Sequence, residues 1–155
     1  MAEETFVDPT DLEFVRACYN DFNEQYFSGE LPEVKFTTVN DPDYVSCLYR
    51  KVDMRNHRLI PTRIEFSTAD PMTEDEFRNA LVHEMIHVSA CLQPFSDIPP
   101  SIWRQAEQAK TPDERDEILG LIQEGDHGNY FTLMQNALNS QFKELNIETE
   151  HEKSR

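Results

Sequence analysis

His83 and His87 stand four residues apart, with Glu84 directly after the first histidine. A helix brings such a pair together, because a four-residue step advances about 6 Å and closes to about 40° of rotation, which puts both imidazoles on one face. Two ring nitrogens on one face can reach a single metal ion, and Glu84 then points toward the neighbouring water position. The constraint extends beyond that helix. A catalytic zinc centre takes three protein ligands and leaves one position open, so the fold has to carry a third donor to this helix from elsewhere in the chain.

The local spelling agrees with a helix at that place. Asp70-Pro71 interrupts what precedes it, and Thr73-xx-Glu76 is a capping box. Phe77, Leu81, Met85, Val88 and Leu92 follow at helical spacing, which predicts a stripe anchored in a core. His83 and His87 fall in the adjacent sector, so the expected site is half-buried at the floor of a cleft. Further upstream, Asp8-Pro9-Thr10-Asp11 and the Thr10-xx-Glu13 box predict another helix start. Its apolar stripe is Leu12, Val15, Tyr19, Phe22 and Tyr26, and Ser28-Gly29 ends it. Residues 34–39, 44–50 and 58–67 are rich in Val, Ile, Phe, Tyr and Thr and read as three strands. Pro61 in the third predicts an edge position or a bulge.

Downstream of the histidines, Pro94, Pro99 and Pro100 break the chain. Residues 102–110 predict a short helix, and Thr111-Pro112-Asp113-Glu114 opens a second one that runs to Gln123. A last helix carries Phe131, Met134, Leu138, Phe142 and Leu145 at 3- and 4-residue steps. The expected architecture is α+β: an N-terminal helix, a small, mostly antiparallel three-stranded sheet, the histidine helix, an inserted helical pair and a C-terminal helix. One domain is expected over residues 1–145, with 88–126 as an inserted segment able to act as a lid. Residues 1–7 are expected to form a flexible lead and 146–155 a flexible acidic tail.

Charge narrows the partners. The 155 residues include 30 acidic and 14 basic side chains, for a net charge of −16. Such a field repels nucleic-acid phosphates, so DNA as an activator finds no support in net charge. The densest basic group, Arg50, Lys51, Arg55, Arg58 and Arg63, lies in the sheet region and reads more readily as a solvated strand face than as a binding stripe. Cys18, Cys47 and Cys91 are odd in number and widely spaced, as expected of reduced intracellular thiols. The acidic N-terminus does not resemble a signal peptide, and no apolar run approaches membrane-spanning length. A cytoplasmic monomer with no membrane partner is therefore expected, in a host cell's cytoplasm if the source is viral.

Three histidines remain as the third ligand. His57 falls in a turn or strand start and His151 in the tail, both expected to face solvent. His127 is flanked by Gly125 and Gly128 at the mouth of the last helix, where a tight loop can present it to the histidine helix. In the metzincin pattern HExxHxxGxxH the Gly and final His positions are Ala90 and Gln93 here, which excludes that class. A gluzincin would use a downstream glutamate such as Glu107 or Glu124. Thr111 stands where a supporting carboxylate would belong, so His127 is the better third ligand.

Several runs, taken in order, resemble the SprT-like (Spartan-type) metalloprotease domain. They are Phe22 through Pro32, Cys47-Leu48-Tyr49, Ile64-Glu65-Phe66-Ser67, His83-Glu84-Met85-Ile86-His87 and Gly125-Asp126-His127-Gly128-Asn129-Tyr130-Phe131. The likeness spans most of residues 10 to 140, and HEMIH followed by HGxxF is specific to that family in a way that HExxH alone is not. It implies a zincin-like fold and a peptidase holding one Zn²⁺ on His83, His87 and His127, with Glu84 as catalytic acid/base. It also implies substrates among DNA-associated or DNA-crosslinked proteins and a place in DNA–protein crosslink repair. Three features depart from the family: the long interval from His87 to His127, the lack of a cysteine-rich zinc ribbon after the domain, and the acidity.

As a hydrolase, the chain is expected to use Glu84 to take a proton from the attacking water and deliver it to the leaving amine. Tyr130, Tyr49 and Arg104 are all candidates for a second oxyanion stabiliser. The alternative is a catalytically idle, zinc-stabilised acidic binding module, or a decoy mimicking nucleic acid.

Overall fold

The computed structural model describes residues 5–56, 58–92, 100–115, 118 and 129–147. Its architecture is α+β. The elements run β1 (Phe6–Val7), α1 (Leu12–Phe27), β2 (Lys35–Val39), β3 (Ser46–Asp53), β4 (Arg58–Ser67), β5 (Met72–Thr73), α2 (Glu74–Cys91), α3 (Pro100–Glu107) and α4 (Asn129–Gln141). Residues 112–115 are also helical, and the backbone of Glu114 donates to Thr111 Oγ1 at 3.1 Å, the cap the sequence predicts there.

The three strands pair in the order β2-β4-β3. β3 and β4 form an antiparallel hairpin whose turn is held by Asp53, which accepts from the backbones of Arg55 and Asn56. β2 runs parallel to β4, so the sheet is mixed where mostly antiparallel pairing is expected. The cause is the order: β4 folds back between β3 and β2, and a strand beside its second successor in an up-down-up sequence runs parallel to it. Pro61 lies on this central strand, yet the expected irregularity is there. Pairing shifts between Tyr49 and Arg50, opposite Arg63 and Pro61, and β2 begins its pairing only at Arg63. Pro61 therefore owes no hydrogen bond on the β2 side.

α1 begins one residue later than the Thr10 box predicts. Asp11 caps it by accepting from Phe14 N, while Asp8 accepts from the backbone and hydroxyl of Thr10. Thr10 is thus held in a turn before the helix. Val15, Tyr19 and Tyr26 are buried as the stripe predicts, whereas Leu12 is exposed. Past the end of the helix Gly29 has φ +72°, and a Cβ there would stand 2.8 Å from Glu24 Oε1. Asn23 then closes the turn, its amide donating to Leu31 O and accepting from Leu31 N, both at 3.0 Å. Tyr19 reaches from the same helix to Pro32 O at 2.6 Å and packs edge-on against Phe36 of β2.

Residues 5–7 and 146–147, which fall in segments expected to be loose, are pinned. Phe6 and Val7 pair with Thr73 and Met72, and Glu74 N donates to Thr5 O, which ties the lead to the start of α2. At the other end, Asn146 and Ile147 belong to the packed body. Ile147 is 2% exposed and exchanges two hydrogen bonds with the Asn139 side chain, at 2.8 and 2.9 Å. Asn146 N donates to Asn79 Oδ1. The burial of Leu145 and Ile147 is the reason: an apolar pair past the helix end is better placed under the core than in solvent. Residues 146 and 147 therefore do not belong to a loose tail, and residues 148–155 lie outside the described residues. Residues 88–91, expected within the inserted segment, are the last turn of α2. Of the remaining inserted segment, residues 93–99, 116–117 and 119–126 lie outside the described residues.

Asn139→Ala removes both bonds that hold Ile147 and is expected to destabilise the protein by roughly 1–3 kcal/mol. Urea unfolding followed by circular dichroism measures this, and a wild-type midpoint in the variant would return residues 146–147 to a loose tail.

Candidate metal centre

α2 is built as its sequence reads. Thr73 Oγ1 accepts from Glu76 N at 3.2 Å while Glu76 Oε1 accepts from Thr73 N at 2.9 Å, a complete capping box. Phe77, Leu81, Met85 and Val88 are buried, and Leu92, just past the helix, is exposed. The burial does not stop at one stripe. Every residue from Ala80 to Cys91 is buried, because the sheet and α4 pack on the same helix. His83 is 3%, Glu84 3% and His87 6% exposed, so the site lies deeper than the half-buried cleft floor the spacing predicts.

The two imidazoles face each other. Their Nε2 atoms are 3.3 Å apart and their ring planes cross at 68°. Phe131, fully buried at the start of α4, lies against both rings with centroids 4.7 Å from each. Glu84 belongs to the same group: one ligand atom from each of His83, Glu84 and His87 lies within 4.8 Å of the others. This buried cluster could hold a metal ion. Ser46 of β3, itself 0% exposed, donates its hydroxyl to Glu84 Oε2 at 2.7 Å. Beside the cluster lies a cavity of about 470 Å³. His83 and Ala80 line it together with Met72, Asp70 and Glu76, and Tyr44 and Val45 line it from the segment that leads into β3.

The other candidates separate. His127 lies outside the described residues, as do His57, His151 and Glu124. Tyr130 OH is 2.6 Å from Ser89 Oγ, two residues beyond His87 on α2. Arg104 and Glu107 are exposed on α3. The structure does not bring Tyr49 to the histidines. Ser46 and Leu48 share one face of β3 with their partners Phe66 and Ile64, and that face packs against α2; Cys47 and Tyr49 point to the other, as alternation requires. There Tyr49 OH donates to Glu65 Oε1 at 3.1 Å, and the Arg63 guanidinium stacks 4.0 Å above the Tyr49 ring.

Glu65 forms a polar centre on this outer face. It accepts from Tyr44, from Tyr49 and from Thr37 Oγ1, the last at 3.1 Å, with Arg63 at 3.9 Å. Burial pushes its carboxyl up, but the hydrogen bonds from Tyr44, Thr37 and Tyr49 and the charge of Arg63 together outweigh that and hold it below the ordinary 4.5. Ser46 gave no signal in sequence, being one polar letter in an apolar strand, and Phe131 stood out only as part of the helix stripe and of the HGxxF run, with no role at the histidines attached to it.

Comparison with family models, with curated proteins and with solved structures returns no match for this chain.

The depressed carboxyl of Glu65 makes a pH prediction. A group whose folded pKa is below its unfolded one stabilises the fold above the unfolded value, and that contribution fades as pH falls through the folded value. Glu65→Gln is therefore expected to cost roughly 1–3 kcal/mol at neutral pH, with the gap to wild type narrowing once pH drops below 4.5. Denaturant titrations of both proteins across that range test it, and a gap that widens on acidification would reverse the assignment.

Proposed function

We propose that the chain is a zinc-dependent metallopeptidase of the SprT-like type, with His83 and His87 as zinc ligands and Glu84 as general base. The observation that carries the reading is the placement of the two imidazoles. Two nitrogens bound to one tetrahedral ion at about 2.0–2.1 Å stand about 3.3–3.4 Å apart, and the two Nε2 atoms here are 3.3 Å apart. The donors thus fit zinc, and their burial supplies the dry surroundings that strengthen charge interactions. His127 is proposed as third ligand on the sequence. Covalent reach supports it: residue 127 is four residues before Phe131, hence within about 14 Å of it along the chain, and Phe131 touches both imidazoles.

When bound, zinc lowers the pKa of the water beside it to about 7 and polarises a carbonyl oxygen. The chain's own residues do the rest. Glu84 accepts a proton as water attacks the scissile carbonyl and returns it to the leaving amine. Phe131 fixes both imidazole planes and excludes solvent from them. Tyr130, joined to α2 through Ser89, is the preferred oxyanion stabiliser of the three candidates, since Tyr49 serves the opposite face of the sheet. The cavity against His83 gives a polypeptide side chain room beside the reacting bond. The acidic binding-module alternative rests on net charge, which does not account for two imidazoles and a carboxylate gathered in one buried place. DNA-crosslinked proteins as substrates rest on the family resemblance alone.

Glu84→Gln is expected to retain about one zinc per chain while cleavage of a basic protein substrate falls about 10²- to 10⁴-fold. Wild-type cleavage should stop with a chelator and return with zinc. Metal analysis alongside gel-based cleavage assays, with and without single-stranded DNA, checks both points. Full cleavage by zinc-loaded Glu84→Gln would sink the mechanism.

A further inference from the structure

Glu84 has two roles within reach, and they exclude each other. A carboxylate oxygen of Glu84 lies within 4.8 Å of a ring nitrogen of both His83 and His87, close enough for Glu84 to serve as a metal ligand itself. As a ligand it would fill the position that hydrolysis needs open. As a base it must stand off the metal and face the water.

The Ser46 hydroxyl donates to Oε2 of this carboxylate at 2.7 Å, within the range of about 2.5–2.7 Å typical of an O–H bond to an ionised oxygen. The donor is rigidly mounted. Ser46 opens β3 opposite Phe66 of the central strand, and next to it Ser67 N donates to Val45 O at 2.8 Å. Ser46 is 0% and Glu84 3% exposed, so bulk water does not compete for either group, and a carboxylate buried this way gains strongly from a fixed donor. Pleat alternation fixes which way the hydroxyl points. A one-residue slip of β3 would turn Ser46 toward the outer face and bring Cys47 to Glu84.

Taking Glu84 as the base, we propose that Ser46 is a positioning residue that holds the Glu84 carboxylate off the metal and aimed at the water, so that it acts as a base and not as a ligand. The hydroxyl donates to Oε2 and so fixes the orientation of the whole carboxylate group. Fixing a partner in the shell around a metal site in this way commonly matters by about 10- to 100-fold in activity or affinity.

The test uses the full chain with Ser46→Ala, Ser46→Val and Ser46→Thr, each loaded with Co²⁺ for the visible spectrum and with Zn²⁺ for kinetics. Valine and threonine share a shape and differ by the hydroxyl, so that pair decides the matter even if Ser46→Ala does not fold. Ser46→Ala and Ser46→Val are expected to lower kcat about 10- to 100-fold with KM unchanged. Their Co²⁺ spectra should shift as the released carboxylate enters the coordination shell. Ser46→Thr should restore both readouts. Spectra and kcat equal to wild type in Ser46→Ala and Ser46→Val would overturn the proposal, as would Ser46→Thr failing in the same way as Ser46→Val. The two readings fail separately. A wild-type protein that cleaves nothing, with the Co²⁺ shift still seen in Ser46→Val and absent in Ser46→Thr, removes the peptidase and leaves the tether. Cleavage by wild type with no effect of the hydroxyl removes the tether alone.

Discussion

From Ala80 to Cys91, α2 is buried on every side, and within that span it carries His83, Glu84, His87 and Ser89 into the protein interior. A helix satisfies its own backbone, but each buried polar side chain left without a partner costs about 1–3 kcal/mol. The elements around α2 answer that demand. β3 brings Ser46 to Glu84 and α4 brings Tyr130 to Ser89, while the two imidazoles turn their Nε2 atoms to each other with Phe131 packed against both rings. The capping box at Thr73 and the short β1–β5 pair fix where the helix begins, and hence where its fourth turn sits relative to the sheet.

The pleat of the small sheet divides the polar work between two faces. The inner face carries Ile64, Phe66 and Leu48, with the Ser46 hydroxyl beside them directed at Glu84 of α2. The outer face carries Glu65, Arg63 and Tyr49, and its hydrogen bonds and cation–π contact close on themselves. Tyr44 belongs to both regions, since it donates to Glu65 and lines the cavity that His83 also lines. A change on the outer face can therefore be felt at the wall of that cavity through a single side chain.

Much of the fold was legible in short-range patterns because those patterns act locally. The Thr73-xx-Glu76 box, the Asp53–Asn56 turn and the stop at Ser28-Gly29 each work through hydrogen bonds or backbone angles within a few residues. Apart from the cap of α1, which falls on Asp11 one residue past the Thr10 box, and the end of α2 at Cys91, the misreadings concern contacts made through tertiary packing. β2 lies parallel to β4 because of strand order, which no single strand encodes. Phe6–Val7 and Asn146–Ile147 looked like loose ends in polarity and position, yet each is held by a partner more than sixty residues away or by a side-chain clamp.

At the candidate centre the division is sharp. The sequence by itself determined that His83 and His87 share a helix face and that Glu84 lies beside them, because a spacing of four is a property of the helix alone. Tertiary structure alone decided that the trio is fully buried, that Phe131 sets both ring planes, and that a serine hydroxyl from a strand thirty-eight positions away grips the glutamate. The reason is register. Whether Ser46 faces the helix or the solvent depends on a pairing that changes sides with each one-residue slip, and only the packed sheet fixes it.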